Sequence, residues 1–165
     1  MTSINVDDRF VVSTSLIATG LRANNFPEAI HQVAKLLLDG GYVYDSFEKA
    51  VIDREILYPT GLPLPIGVAI PHTDSEHIIT SAIAIGVFNK PVIFEEMGSH
   101  GVFIKVKIIF VLAMKESQSV VYTIQTLVKT LRDKTILEKI IEAANPGIIL
   151  NIVAQELPGL VQIIN

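Results

Sequence analysis

Apolar positions along the chain change their period twice, from helical to alternating and back. From Asn25 the spacing is helical: Ile30, Val33, Ala34, Leu37 and Leu38 fall on one stripe of a 3.6-residue repeat. Asn25 ahead of Phe26-Pro27-Glu28 supplies a cap with Pro in the first turn, and Gly40-Gly41 closes the element. A second helix is expected from Ser46, burying Phe47, Ala50, Val51 and Ile56, and stopped by Pro59-Thr60-Gly61. Upstream, residues 10–21 are apolar but broken by Ser and Thr, and their pattern selects no element.

From Gly67 the segments become short, β-branched and bounded by Gly, Pro or Asn, which predicts strands over 67–70, 82–88, 92–94 and 106–114. Those at 82–88 and 106–114 are apolar on both faces, as strands are when helices cover the sheet on each side. Helical spacing then returns. Val120, Ile124, Leu127, Val128 and Leu131 form one stripe, and Asp133 caps a helix with Ile136, Leu137, Ile140 and Ile141 inward. Asn145-Pro146-Gly147 ends it, a last helix covers 148–156, and a short apolar tail comes after Pro158-Gly159. Helices, then strands, then helices describe an α/β fold with a mixed central sheet flanked by helices. At 165 residues, without repeat or linker, the expectation is a single domain over 1–165.

Composition narrows the function. Half of the residues are hydrophobic and 18% are charged, which excludes disorder. The apolar stretch 106–114 is interrupted by Lys107 and is about half the ~20 residues of a spanning helix. No basic flank precedes an apolar run at the N-terminus, so neither a signal peptide nor membrane insertion is expected, and the expected location is cytoplasmic. Thirteen basic against seventeen acidic residues, with no basic cluster, speak against nucleic acid as a partner. The chain has no cysteine, hence no disulfide, thiolate metal site or thiol nucleophile. Gly67, Gly86, Gly98 and Gly101 match no nucleotide-binding fingerprint. Chemistry falls to His, hydroxyl, carboxylate or Arg side chains.

The densest polar cluster is Gly67-Val68-Ala69-Ile70-Pro71-His72-Thr73-Asp74-Ser75-Glu76-His77. It places His72 just past a buried strand, where α/β sheets build their sites. Three readings of His72 stand on the residues alone. As a neutral imidazole it is a phosphorus nucleophile, provided one nitrogen is held and a cation such as Arg54 meets the phosphoryl oxygens. With Asp74, Glu76 and His77 it is a metal-ligand set of hydrolase type, although His72 and His77 are five apart, a poor spacing for one helical face. As an ordinary loop histidine it precedes a helix N-terminus, because Thr73–Glu76 has the T-x-x-E form of a capping box. His31 reads as a mid-helix solvated residue and His100, between Ser99 and Gly101, as a turn residue.

Together, Arg54-Glu55…Pro59-Thr60-Gly61, then Gly67-Val68-Ala69-Ile70-Pro71-His72, then 82–88 and Pro91-Val92…Phe94 resemble one family. It is the enzyme IIA of the fructose–mannitol class in the bacterial phosphoenolpyruvate-dependent sugar phosphotransferase system. The resemblance is strongest over 26–144. It implies a cytosolic phosphocarrier in which His72 takes a phosphoryl group from the phosphocarrier protein HPr and hands it to a IIB component. It implies that Arg54 steadies that group, that no cofactor or metal is needed, and that the sugar is handled by the membrane component IIC.

Many members carry a second histidine after the apolar strand, where this chain reads Lys115-Glu116-Ser117-Gln118-Ser119-Val120-Val121. The galactitol-specific branch is similar in lacking it, so galactitol or a related polyol is the sugar the resemblance implies. Gln118 or Ser119 is then a candidate for a substitute polar contact. Both partners must reach His72, which predicts a shallow apolar depression with Leu62, Leu64, Ile66 and Val120 at its rim. Two alternatives remain: a regulatory phosphoacceptor of the same fold that acts by protein binding, and a small metallohydrolase using His72, Asp74 and His77.

Overall fold

The computed structural model describes residues 9–116 and 120–164. The chain runs β1 (Phe10–Val12), β2 (Ile17–Leu21), α1 (Phe26–Asp39), α2 (Phe47–Leu57), β3 (Gly61–Leu62), β4 (Gly67–Ala69) and β5 (Ala82–Glu95). It continues through β6 (Phe103–Ala113), α3 (Val120–Leu131), α4 (Lys134–Glu142), α5 (Pro146–Glu156) and β7 (Val161–Ile163). Among the described residues, the seven strands make one mixed sheet in the order β3-β4-β6-β5-β1-β7, with β2 also paired to β5. This is the α/β architecture with a mixed central sheet and flanking helices that the sequence pattern predicts.

Side-chain alternation along the two long strands explains the layering. Ile83, Ile85 and Val87 of β5, with Ile108, Phe110 and Leu112 of β6, pack on one face among residues from α3, α4 and α5. Their neighbours Ala82, Ala84 and Phe88, with Ile109, Val111 and Ala113, face the opposite way toward α1 and α2. Successive Cβ atoms of a strand point to opposite faces, so a strand apolar at every position is buried on both. Full burial of each Ile, Leu or Phe contributes roughly 1.5–3 kcal/mol relative to exposure. These two strands are therefore the centre of the stability.

α1 and α4 begin where their caps foretell, whereas Asn145-Pro146, expected to end the preceding helix, instead opens α5. Asn25 accepts a hydrogen bond from the Glu28 backbone N–H, Asn145 from that of Ile148, and Asp133 from that of Thr135. Several expectations are corrected. The segments 82–88 and 92–94 belong to one 14-residue strand, β5, whose register against β6 shifts between Val87 and Val92. The exposed Asn89-Lys90-Pro91 sits in that irregularity, where Pro, with no N–H to give the ladder, is tolerated. Leu38 and Ile56 point outward, and Glu55 instead of Ile56 takes the inward position of α2. The T-x-x-E pattern forms no capping box: residues Ser75–His77 make a single 3-10 turn behind Asp74, whose side chain makes no capping bond. The apolar tail becomes β7, paired parallel to β1.

His72 owes its place to the sheet edge formed by β3 and β4. β4 lies parallel to β6, and a Cβ on Gly67 would fall 1.9 Å from the Lys105 carbonyl oxygen. Only glycine lets the two backbones approach that closely. The Leu112 N–H donates to the Pro71 carbonyl at 3.0 Å, extending the clamp on β6 as far as the residue before His72.

Candidate functional site

At the C-terminal end of β4 lies a cavity of about 370 Å³, lined by Arg54, Leu57, Tyr58, Pro59, Thr60, His72, Met97, Gly98, Ser99, His100 and Ile124. His72 and Arg54, singled out separately in the sequence, meet here. A larger groove of about 600 Å³ is lined by α3 residues together with Asp133, Ile136 and Glu156, but no histidine reaches it.

His72 is buried, and its Nδ1 lies 2.8 Å from the Ile70 carbonyl oxygen. A carbonyl only accepts, so Nδ1 carries the hydrogen and Nε2 keeps its lone pair. Burial pulls the imidazole pKa below its ordinary 6.5 and the Arg54 charge lowers it further, against the Ile70 hydrogen bond and Asp74, which raise it. The ring is thus a neutral base with one nitrogen fixed and one available to the cavity.

The Arg54 guanidinium lies over the Tyr58 ring, 5.2 Å from its centroid. Its Nε is buried with no hydrogen-bond partner among the described residues. An unmet buried donor costs about 1–3 kcal/mol.

Sequence reasoning assigned no role to Glu55 and Thr60, which support the site from behind. The Glu55 carboxyl accepts from the Thr60 backbone N–H at 2.8 Å and from its hydroxyl at 2.9 Å. The same hydroxyl accepts the Ile70 N–H at 3.2 Å. A hydrogen-bonded chain therefore runs from Glu55 through Thr60 and the Ile70 backbone to His72. Burial pushes the Glu55 pKa up to about 7, with Glu95 adding to it, while the Thr60 hydrogen bonds and Arg54 pull it back. An acid directly after Arg54, five residues ahead of a threonine, was the available signal, but only a turn at Pro59 folds the two together.

The remaining expectations divide. Val120, Leu64 and Ile66 pack half-buried against the core, Leu62 is buried, and none of the four lines the cavity. Its apolar wall is Leu57, Tyr58, Pro59, Met97 and Ile124 instead, because pairing of β3 with β4 places Leu62 in the core. Gln118 and Ser119 lie outside the described residues. His77 bonds through Nδ1 to Ser46 at 2.8 Å, and His31 pairs with Glu48. Among the described residues, no three His, Asp or Glu side chains gather as a metal site, so the His72-Asp74-His77 set is not assembled. His100, expected as a turn residue, sits in the β5–β6 turn and also lines the cavity. No helix among the described residues is long and apolar enough to cross a membrane.

Comparison with known proteins bears on the same features. The chain is 33% identical over 102 residues to the transcriptional regulator ManR of Bacillus subtilis, covering 62% of this chain and 13% of that protein. It is 25% identical over 126 residues to the galactitol-specific EIIA component of Escherichia coli K12, covering 76% of this chain and 83% of the relative. In structure it is similar to the IIA of the Escherichia coli mannitol system in complex with phosphorylated IIB. There the TM-score is 0.73 at 23% identity, over 88% of this chain and 99% of that one. Residues 10–156 match the family model described as phosphoenolpyruvate-dependent sugar phosphotransferase system, EIIA 2. Since that match takes in both long strands, the cavity and every helix, the chain belongs to the type-2 EIIA family of the phosphoenolpyruvate-dependent sugar phosphotransferase system.

Proposed function

We propose that this chain is a phosphocarrier, with His72 as the phosphorylated residue and Arg54 as the cation that holds the phosphoryl group. The observation that carries the reading is the His72 ring itself: Nδ1 tied to the Ile70 carbonyl, Nε2 unprotonated, in a cavity shared with Arg54. In the forward step the Nε2 lone pair attacks the phosphorus of phospho-HPr. The P–N bond to the donor histidine breaks, its electron pair stays with the departing imidazole, and a new P–N bond forms on His72. Transfer to IIB repeats the exchange with His72 as leaving group. No metal or nucleotide takes part. The planar Arg54 fork suits the equatorial oxygens of the transferring group.

The apolar wall of Leu57, Tyr58, Met97 and Ile124 suits successive small, short-lived partner contacts with HPr and IIB. The mannitol relative solved with phosphorylated IIB supports the second of these partners. The galactitol-specific relative supports galactitol or a similar polyol as the sugar carried by the associated membrane IIC component.

Intact-mass analysis after mixing with phosphoenolpyruvate, enzyme I and HPr tests the reading. An acid-labile gain of one phosphoryl group is expected in the native chain and none in His72→Ala; labelling of His72→Ala sinks the assignment. Arg54→Lys is expected to slow transfer by roughly ten-fold or more, the worth of a charge-assisted hydrogen bond. An unchanged rate removes Arg54 from the mechanism.

One observation favours a second reading, a phosphorylation-sensing module. The ManR relative is described as a transcriptional regulator, and this chain matches only 13% of its length. Restoration of polyol uptake in cells lacking their own IIA supports the carrier. Labelling without any uptake, together with phosphorylation-dependent binding to a regulator, supports the sensor.

A further inference from the structure

The cavity that holds His72 and Arg54 has a third nitrogen base on its wall, His100, to which no role has been given. Two features indicate that its placement is built. The β5–β6 turn carrying it is tied to the segment that supports His72, because the Met97 N–H donates to the Gly61 carbonyl at 2.8 Å. Within that turn Gly98 and Gly101 have φ of 78° and 80°, a backbone that bends back sharply on both sides of the ring. The ring itself is held at one end: its Nδ1 lies 2.9 Å from Glu95 Oε1. A carboxylate accepts, so Nδ1 carries a hydrogen and Nε2 is the end left for a ligand. The His100 side chain is 75% exposed, so this arrangement is not one that core packing requires.

We propose that His100 is a further catalytic residue of phosphoryl transfer, its Nε2–H donating to an oxygen of the phosphoryl group on His72. This rests on the phosphocarrier reading. The transferring group bears negative charge on its peripheral oxygens, and hydrogen-bond donors that meet them stabilise it. Arg54 supplies donors from α2, and His100 supplies one from the opposite strand connection, so the group is held between two separately anchored elements. In this role one ring N–H goes to Glu95 and the other to the phosphoryl oxygen. His100 neither gains nor loses a proton over the exchange, since one P–N bond breaks as another forms. Glu95 is a positioning residue for His100, acting only through Nδ1.

Single-turnover phosphorylation of His72 tests this with two donors: phospho-HPr, and phosphoramidate as a small donor that needs no docking surface. His100→Ala is expected to slow both reactions by roughly ten-fold, and His100→Gln, which keeps an N–H donor, to recover part of the loss. Unchanged rates in His100→Ala with native chain that is labelled overturn this inference alone. A loss confined to phospho-HPr also overturns it, by making His100 a docking contact. Failure of the native chain to take phosphoryl from either donor overturns the carrier reading and this inference with it. Circular dichroism melting of His100→Ala, expected to match the native chain, separates these effects from misfolding.

Discussion

His72 and Glu55 carry opposite perturbations from one cause. Burial disfavours the charged form of either, so the imidazole pKa falls and the carboxyl pKa rises. For His72 the consequence is functional. The neutral ring persists below pH 6.5, and phosphorylation from phosphoramidate is expected to hold its rate as pH is lowered through 6.5. A half-drop on that acid limb at 6.5 or above contradicts this. For Glu55 the consequence is stability. Its folded pKa of about 7 exceeds the ordinary 4.5, so the folded state binds more protons between those values. Stability is fully present below about pH 4.5 and is lost as pH rises through 7, by an amount on the order of 3 kcal/mol. Urea unfolding at pH 5 and pH 8 checks this. Glu55→Gln is expected to flatten the difference, and an unaltered pH slope in that variant assigns the effect elsewhere.

At the scale of elements, the site depends on a three-residue strand. β4 holds His72 because its backbone lies against β6 without a side chain between them at Gly67. Gly67→Ala puts a Cβ against the Lys105 carbonyl and forces β4 off its neighbour, an overpacking cost of roughly 1–3 kcal/mol. Thermal melting should fall by several degrees. Labelling of His72 should fall further than that stability loss explains, since the strand end moves with it. A Gly67→Ala chain that melts and labels like the native one removes this account. The element scale also shows where pattern reading stops. α1 is legible because its cap, stripe and terminator agree, and the inner parts of β5 and β6 because residues 82–88 and 108–114 are apolar throughout. β1, β3 and β7 have two or three residues each, too few for a period, and their pairing is decided by partners distant in sequence.

Across the whole molecule, the site and the chain's end lie on opposite sides of the sheet: β3-β4 at one edge, β7 at the other. Leu160 and Val161 are buried, the Phe10 N–H donates to the Leu160 carbonyl at 2.9 Å, and β7 closes the edge of β1. Deleting residues 158–165 removes two buried apolar side chains, about 3–6 kcal/mol, a large share of the 5–15 kcal/mol typical of a domain. The urea midpoint should drop sharply, while chain that remains folded should still accept phosphoryl on His72. An unchanged midpoint makes β7 an appendage.

The sequence by itself determined the α/β class, the starts of α1, α2 and α4, and the strands within 67–70, 82–88 and 106–114, and it singled out His72 and Arg54 through motif resemblance. Caps act within four residues, an apolar strand is apolar wherever it pairs, and a histidine after Ile70-Pro71 is visible as a string. Only the tertiary structure decided that Arg54 and His72 share a cavity, that Glu55 and Thr60 stand behind them, and that His100 reaches the same cavity. It also decided that Leu57, Tyr58, Pro59, Met97 and Ile124 form the wall instead of Leu62, Leu64, Ile66 and Val120. These residues lie on separate helices, strands and turns, and no short-range rule relates them. Their meeting follows from the way the two faces of one sheet bury their apolar side chains.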